Sequence, residues 1–298
     1  MNEMNEMQFN AGARYIIPTS DWGFKRLFAT ESNKGLLIGL LNRIIDEIEI
    51  KDLKYLDREL LLPLQHNHRV VRFDVYCECA DGTHVIVEMQ NYARKEFVDR
   101  TTVYTAASII DSYIRNDDEG YQISRTYLVA ITGNNVFPEI GHSPVRLAIC
   151  DMDSDKTHVV GDKVLQIFIE LPKLASELKS LKADDIFLKK FAVAMRTMAR
   201  SGERPAVMDD ELLIGMYDAA DTQKFDENDR NHYAKSIMNE FEYEATLYDY
   251  RREGKEEGRA EGRAEQRREI AAKMKAQGLS TEVIVSCTGL EEETVANL

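Results

Sequence analysis

The chain of 298 residues is 44% hydrophobic and 30% charged, with four scattered cysteines and a formal net charge of −14. This composition excludes a disordered, collagen-like or disulfide-stapled chain, and no apolar run reaches the ~18 residues of a membrane helix. We therefore predict a soluble, cytoplasmic protein with no membrane partner. Because the negative charge repels polyanions, a nucleic-acid partner would require a specific local site.

The first predicted elements are helices within residues 14–50. Pro18 and the three polar residues after it are typical of a helix start, and apolar side chains recur at helical spacing as far as Ile48. We predict one or two helices here, with Gly35 near the break between them.

A β-hairpin is predicted next. Two runs with strand-like alternation, Arg69–Cys79 and Thr83–Gln90, are separated by Ala80-Asp81-Gly82. An Asp-Gly pair between alternating runs is among the strongest short-range signals for a hairpin. His84, beside the turn, is predicted to lie at the rim of the sheet.

A helix and three further strands follow the hairpin. The helix is predicted over Arg94–Arg115, and its apolar residues lie mostly on one stripe: Phe97, Val98, Val103, Tyr104, Ala107, Ile110 and Ile114. Thr126–Thr132 is a short, continuously apolar run, as expected for a buried strand parallel to an earlier one. Strands are also predicted over Val145–Asp151 and Lys163–Leu171.

The C-terminal part divides by composition into three segments. Residues 172–250 are predicted to be a helical region, residues 251–269 a charged, Gly-containing linker helix, and residues 270–298 a small helical tail with a helix-turn-helix outline. The last helix of the tail carries Glu291, Glu292 and Glu293, so packing or oligomerisation is favoured over DNA reading. With residues 14–171 as a mixed-sheet core flanked by helices, the fold class is α/β with a helical C-terminal region.

The register of the hairpin decides whether its polar residues meet. Alternation with period two puts Asp74 and Glu88 on the polar faces of their strands. A two-residue Asp81-Gly82 turn would point these side chains to opposite sides of the sheet. A three-residue loop, Asp81–Thr83, sets Asp74 across from Gln90 and diagonal to Glu88, and it also merges the apolar faces. Because burial of one coherent face fixes register, we favour the longer loop.

Two neighbouring carboxylates suit a divalent metal ion. At a diagonal backbone spacing of ~7–8 Å, Asp74 and Glu88 repel each other unless a cation lies between them or one of them is protonated. Mg²⁺ prefers oxygen ligands, and the backbone carbonyl of Met89 can supply another. The amide of Gln90 can orient a water molecule or a phosphate oxygen, which completes the requirements of phosphodiester hydrolysis. Taken alone, the same spacing is also common on solvated strand faces.

The order of these motifs resembles a known nuclease superfamily. The segments SDWGFKRLF and RFDVYCECADGTHVIVEMQ, followed by R-x-x-x-Y, resemble the PD-(D/E)XK nucleases. More narrowly, they are similar to the Rpn group of recombination-promoting nucleases, also called PD-(D/E)XK family transposases. The resemblance covers nearly the whole chain and is most specific from Phe73 to Gln90. It implies a restriction-endonuclease-like core, DNA as the partner, and cleavage that depends on Mg²⁺ or Mn²⁺.

The resemblance also implies roles for individual residues. Asp74 and Glu88 would be metal ligands, with Gln90 at the position of the signature lysine; Asp21, Lys25, Arg100 and Tyr104 would be auxiliary groups, the last two meeting phosphate. Each auxiliary residue has a structural alternative: Asp21 as a stabiliser of the first helix turn, Lys25 as a solvated lysine, Arg100 as a partner of Glu96, and Tyr104 as core.

The sequence departs from the superfamily motif at two positions. Phe73 stands where the motif name has proline, and Gln90 replaces a lysine whose charge would stabilise the transition state. The glutamine accords with the narrower group. We expect slow turnover or the need for a second metal ion.

The function implied is that of a divalent-metal-dependent DNA endonuclease with little sequence specificity, linked to DNA recombination or mobile elements. We expect a homo-oligomer assembled through the C-terminal helical region. The alternative is a catalytically weak scaffold or interaction protein that oligomerises through the same helices. Transposition proper is less favoured, since the sequence shows no strand-transfer domain with a separate acidic triad.

Overall fold

The computed structural model describes residues 13–62, 69–93, 96–115, 122–153, 159–174 and 177–298. The chain divides after Ser236 into two compact units, each of which is described by itself. Across the described ranges, no helix combines the length and the apolar character needed to cross a bilayer.

A six-stranded mixed sheet forms the centre of the first unit. Its strands, in spatial order, are β1 (Leu53–Tyr55), β4 (Val75–Cys79), β5 (His84–Gln90), β6 (Thr126–Thr132), β8 (Val159–Glu170) and β7 (Val145–Cys150). Strands β5, β6 and β8 are parallel, while β1, β4 and β7 run antiparallel to their neighbours. The predicted buried strand at Thr126–Thr132 is confirmed, because all seven of its residues are buried and it pairs in parallel with β5.

A smaller two-stranded sheet is formed by β2 (Glu59–Leu62) and β3 (Arg69–Arg72). The prediction of one continuous strand over Arg69–Cys79 is therefore wrong, since β3 and β4 belong to different sheets. The backbone N–H of Phe73 donates to the carbonyl of Arg58 at 2.9 Å and so extends the small sheet, and Asp74 then lies in a bend before β4 begins. The chain therefore passes from the two-stranded sheet to the six-stranded sheet at Asp74.

Helices cover both faces of the large sheet. Those of the first unit are α1 (Asp21–Phe28), α2 (Lys34–Leu41), α3 (Phe97–Arg115), α4 (Leu171–Leu174), α5 (Phe187–Thr197) and α6 (Glu211–Ala220). Helix α7 (Glu227–Ala276) begins in the first unit and continues into the second, which also contains α8 (Thr281–Thr288) and α9 (Glu292–Ala296). Buried residues of α1, α2, α5 and α6 share one core with Val75, Cys77 and Val87 of the hairpin. Tyr76 and Ile86, on the opposite face, share a second core with α3. This is the predicted α/β architecture of a mixed sheet flanked by helices.

Helix α1 begins at a capping serine, whereas α2 begins without a side-chain cap. The Ser20 side chain caps α1 by accepting a hydrogen bond from the N–H of Gly23 at 3.1 Å. The break between the two helices falls at residues 29–33, and Gly35 lies just after it in the first turn of α2, near the break as predicted.

Helix α3 presents an unexpected face to the sheet. Its buried residues are mostly small and polar (Thr101, Thr105, Ser108 and Ser112, with Phe97 and Ala107). The hydroxyls of Thr101 and Thr105 hydrogen-bond to the buried Gln166 of β8. Val103, Ile110 and Ile114 are exposed, so the predicted apolar stripe does not face the core as a whole.

The second unit has a small core of its own. Within residues 237–298, Ala271 of α7 is buried together with Ile284 of α8 and Val295 of α9. The Lys275 ammonium donates to the backbone carbonyl of Val295 at 3.0 Å. The predicted linker, residues 251–269, is helical throughout as part of α7.

Candidate active site

The hairpin register places Asp74 directly across from Glu88. Val75 pairs with Val87, and Glu78 pairs with His84. The same register, continued by one residue, brings Asp74 opposite Glu88. The predicted register, with Asp74 across from Gln90, is therefore wrong by two residues. Because two is the period of a strand, both carboxylates still lie on one face, as predicted.

The turn explains the difference in register. The loop has three residues as predicted, but these are Ala80-Asp81-Gly82 instead of Asp81–Thr83, with the N–H of Cys79 donating to the carbonyl of Thr83 at 2.8 Å. A three-residue hairpin loop ends on a residue in the left-handed conformation, and Gly82 has φ of 80°. Glycine is thus the last loop residue and not the middle one, which moves the strands relative to each other.

Backbone groups hold the two carboxylates side by side. The N–H of Asp74 donates to Glu88 Oε1 at 3.0 Å, and the N–H of Met89 donates to Asp74 Oδ2 at 2.8 Å. Glu88 is only 4% exposed, and Asp74 is partly buried. The positions of these oxygens are therefore set by the main chain of the hairpin.

The electrostatics of the pair disfavour two negative charges. Burial raises the pKa of Asp74, whereas the hydrogen bond from Met89 lowers it. Burial also raises the pKa of Glu88 well above its ordinary value, and the charge of Asp74 raises it further. Among the described residues, neither carboxylate forms an ion pair with a lysine or arginine. The repulsion is therefore relieved either by a proton on Glu88 or by a cation from solution.

The donor set suits a hard divalent cation. In a strand, the N–H and C=O of one residue point to the same side, so the carbonyl of Met89 faces the same edge as its N–H, towards Asp74. Asp74, Glu88 and this carbonyl present oxygen atoms that could hold such an ion, and Mg²⁺ commonly combines one or two carboxylates with several waters. The described ranges contain no cluster of three or more metal-ligating side chains, so this site would rely on water for the remaining positions.

Gln90 and Arg100 form a polar contact beside the carboxylates. The Arg100 guanidinium donates to Gln90 Oε1 at 2.5 Å, and it lies over the rings of Phe97 and Tyr104, at 4.8 and 5.7 Å from their centroids. The positive charge of Arg100 lowers the pKa of both Asp74 and Glu88. The sequence-based alternative, an ion pair between Arg100 and Glu96, is not formed; the contact is with Gln90.

Tyr104 lies on the same side of the sheet as the carboxylates. Burial raises the pKa of its hydroxyl, and the charges of Glu88 and Asp74 raise it further. Its ring packs edge-on against Phe73 at 5.2 Å between centroids. Tyr104 therefore belongs both to the second core and to the surroundings of the carboxylates.

Helix α1 brings Asp21 and Lys25 near the site. The two residues form an ion pair at 2.5 Å within the helix. The charge of Lys25 lowers the pKa of Asp74, and the charge of Asp21 raises it, so both act on the carboxylate through space. Lys25 is thus neither a ligand nor a wholly solvated residue.

Two residues that attach α1 to the site, Asn91 and Gly23, were not predicted from the sequence. The side-chain amide of Asn91 donates to the carbonyl of Thr19 at 2.9 Å and so connects the end of β5 to the start of α1. At Gly23, a Cβ atom would lie 2.0 Å from the carbonyl oxygen of Ile17, so only glycine fits. The signals available were an amide side chain just after the E-x-Q run and a glycine in the first turn of a helix.

His84 is not at the rim, as predicted, but buried under α3. Its Nδ1 lies 2.8 Å from the hydroxyl of Tyr76, and this hydroxyl donates to Asp111 Oδ2 at 3.1 Å. Ser108 donates to the same hydroxyl at 3.1 Å. These contacts lie four residues along β5 from Glu88 and serve the packing of α3 on the sheet.

Comparison with known proteins gives one match. A family model described as PD-(D/E)XK nuclease family transposase covers residues 18–249, a stretch that contains α1, the hairpin and α3. No curated protein and no solved structure matches the chain. The match covers well over half of the sequence and includes every residue of the candidate site. The chain therefore belongs to the PD-(D/E)XK nuclease family transposases.

Proposed function

We propose that this protein is a divalent-metal-dependent DNA endonuclease that hydrolyses phosphodiester bonds. The observation that carries the proposal is the adjacent pair of carboxylates formed by the partly buried Asp74 and the buried Glu88. The backbone fixes this pair, and no described lysine or arginine forms an ion pair with it. Membership of a nuclease family supports the same reaction class.

Mg²⁺ or Mn²⁺ is the proposed cofactor. The carboxylates of Asp74 and Glu88 and the carbonyl of Met89 would hold the ion. When bound, it would supply Lewis-acid polarisation of the scissile phosphate. The remaining steps fall to residues of this chain.

Gln90 and Arg100 are the groups placed to position the substrate. The Gln90 oxygen accepts from Arg100, and its amide nitrogen donates one N–H to the carbonyl of Tyr92 at 3.4 Å. The second N–H of that nitrogen is the one that would donate to a phosphate oxygen or to the attacking water. Arg100 offers further N–H donors and a positive charge to the phosphate. It would thereby replace the charge of the signature lysine, whose position Gln90 occupies. Tyr104 of α3 and Lys25 of α1 lie near the carboxylates from the two helices and complete the polar surroundings.

We further propose that cleavage has little sequence specificity and serves DNA recombination or mobile elements. The net charge of −14 disfavours an extended protein–DNA interface, so affinity would depend on the metal ion and a few cations near the site. Ile270, Val283 and Leu298 are exposed apolar residues of the second unit, which supports homo-oligomerisation through the C-terminal helices.

A catalytically weak scaffold is the second candidate function. The observation that favours it is Gln90, because a glutamine cannot supply the cationic stabilisation of a lysine. The two proposals differ in whether the carboxylate pair turns over substrate.

Plasmid nicking by the purified full chain tests the proposal. Supercoiled DNA is incubated with Mg²⁺, Mn²⁺ or a chelator, and wild type is compared with Asp74→Asn and Glu88→Gln. Glu78→Gln is the matched control, because Glu78 lies on the same hairpin but pairs with Lys54 at 3.0 Å. We expect metal-dependent nicking that Asp74→Asn and Glu88→Gln abolish and Glu78→Gln retains. Equal nicking by all four proteins would contradict the proposed site, and metal binding without nicking would favour the scaffold.

A further inference from the structure

An asparagine from the loop after β6 binds the chain just beyond the end of β5. The side chain of Asn134 contacts both backbone groups of Ala93: its Oδ1 accepts from the N–H at 2.6 Å, and its Nδ2 donates to the carbonyl at 2.9 Å. A side-chain amide that satisfies the donor and the acceptor of one residue takes the place of a pairing strand. Asn134 therefore extends the pairing of β5 with β6 beyond its last residue pair, Gln90 with Thr132.

The glycine before this asparagine lets the two segments lie so close together. The N–H of Gly133 donates to the carbonyl of Gln90 at 3.0 Å. A Cβ atom at position 133 would lie 2.6 Å from the carbonyl oxygen of Asn91, which is closer than side-chain carbons approach a carbonyl. A larger residue at this position would push residues 91–93 away from Asn134.

Buried polar contacts hold Asn134 in place from the other side. Its carbonyl accepts from the Thr132 hydroxyl at 2.9 Å. Two residues further along, the N–H groups of Val136 and Phe137 both donate to the wholly buried carboxylate of Glu170. Hydrogen bonds to a charged, buried acceptor are among the strong ones, so the loop after β6 is firmly fixed. Asn134 is consequently a fixed point against which residues 91–93 are placed.

The segment that Asn134 holds also contacts the side chain of Gln90. Tyr92 immediately precedes Ala93, and its carbonyl accepts from the Gln90 amide at 3.4 Å. A hydrogen bond of this length is close to the limit, so a small displacement of Tyr92 breaks it. The amide would then turn about its soft terminal torsion, because Arg100 holds only its oxygen.

We propose that Asn134 is a positioning residue of the candidate active site: by holding Ala93, it fixes the Tyr92 carbonyl that orients the amide of Gln90. This inference rests on the proposed function, in which the second N–H of that amide meets a phosphate oxygen or the attacking water. Asn134 acts through the backbone of residues 92–93. Since a misplacement of about 1 Å can cost about 10²-fold in rate, the expected effect on cleavage is large.

Nuclear magnetic resonance of the metal-free full chain, labelled with ¹⁵N at the glutamine side chains, tests the positioning independently of activity. The resonances of the Gln90 amide are identified by their loss in Gln90→Ala. Asn134→Ala is expected to shift them and to leave those of the other glutamines in place. Asn135→Ala, at the exposed neighbour, is the matched control and should shift none. Should Asn134→Ala fail to fold, Asn134→Asp, which loses only the donor to the Ala93 carbonyl, is expected to shift the same resonances.

Nicking kinetics give a second measurement. Asn134→Ala is expected to lower kcat roughly tenfold or more and to change KM for DNA less than about twofold, because orientation is lost and not binding. In a Gln90→Ala background, the same substitution should have no further effect, since Asn134 acts through Gln90.

Unshifted Gln90 resonances, or losses of kcat that add in the double variant, would overturn the proposal. A wild-type protein that nicks no DNA would contradict the nuclease function alone. The resonances of Gln90 would then decide whether Asn134 positions its amide.

Discussion

Arg100 of α3 and Gln90 of β5 share a hydrogen bond of 2.5 Å from the guanidinium to the side-chain amide oxygen. The contact joins the residue that replaces the signature lysine to a cation from another element. By binding Arg100, Gln90 holds a positive charge near the carboxylates. This charge lies on α3 and not on the strand, where a lysine would carry it. If the proposed nuclease activity holds, this pairing would be a physical reason why glutamine is accommodated at position 90.

Arg100→Ala should lower kcat about 10²-fold, because a cation at the developing phosphate charge is lost. The same variant should need less Mg²⁺ for half-maximal rate, since the positive charge of Arg100 acts on both carboxylates and opposes a second cation. Nicking rates measured across a Mg²⁺ titration check both effects. Arg125→Ala is the charge-matched control, because Arg125 pairs with Asp162 just before β6. A lower kcat with a weaker Mg²⁺ response would assign Arg100 to metal binding instead.

Glu88→Gln should raise the melting temperature of the metal-free protein by roughly 2–4 °C, because it removes a buried charge. The glutamine carbonyl can still accept the hydrogen bond from Asp74, so packing is retained. Added Mg²⁺ should stabilise wild type and leave Glu88→Gln unchanged. Scanning calorimetry with chelator and with Mg²⁺ measures both effects, with Glu78→Gln as the control. A Mg²⁺ response that survives in Glu88→Gln would place the ion elsewhere.

His84 should make stability depend on pH near neutrality. Burial lowers the pKa of His84 below 6.5, so the folded state binds its proton less readily than the unfolded state. The contribution of neutral His84 to the free energy of unfolding is present in full above pH 6.5. It is lost as the pH falls towards the pKa of His84 in the folded state. Urea midpoints at pH 7.5 and 5.5 should therefore differ less in His84→Gln than in wild type. His142→Gln, at an exposed histidine, should retain the full difference; an equal loss in both variants would refute this assignment.

Gly23→Ala should cost about 2–4 kcal/mol of unfolding free energy, because its methyl group would overlap the carbonyl oxygen of Ile17. Displacement of the α1 start should also lower nicking, since α1 carries Lys25. Gly35→Ala is the control: no atom lies within 4 Å of its Cβ, and alanine favours the helix by roughly 0.5–1 kcal/mol. Chemical denaturation of both variants gives the comparison. Equal unfolding free energies for Gly23→Ala and Gly35→Ala would mean that the backbone at Ile17 moves aside for the added methyl group at little cost.

Much of this fold could be predicted from the spacing of apolar residues, because burial of one or both faces of an element imposes that spacing on its sequence. The continuous apolar run at Thr126–Thr132 requires apolar contacts on both faces, and it forms the central parallel strand. The shared face of Asp74 and Glu88 followed from period two even though the register was wrong. A register error of an even number of residues changes which residues are opposite, but not which face they occupy.

Errors arose where polar contacts outweigh hydrophobicity. Three buried hydroxyls of α3, on Thr101, Thr105 and Ser108, satisfy Gln166 and Tyr76, and no apolar periodicity reveals such partners. The burial of His84 depends on the same helix. Arg100 and Gln90 are ten residues apart in sequence and lie on different elements, a helix and a strand. Their contact depends on how α3 packs beside β5, which the sequence pattern does not show.

The hydrogen bond from Phe73 to Arg58 bears on the first letter of the family motif. A proline has no N–H to donate, so a proline at position 73 would leave the Arg58 carbonyl without this partner and loosen the small sheet beside the carboxylates. In this chain, the residue before the aspartate contributes a main-chain donor, and its ring packs against Tyr104. The departure from proline therefore supports the attached two-stranded sheet, and the carboxylates of Asp74 and Glu88 keep their backbone contacts beside it.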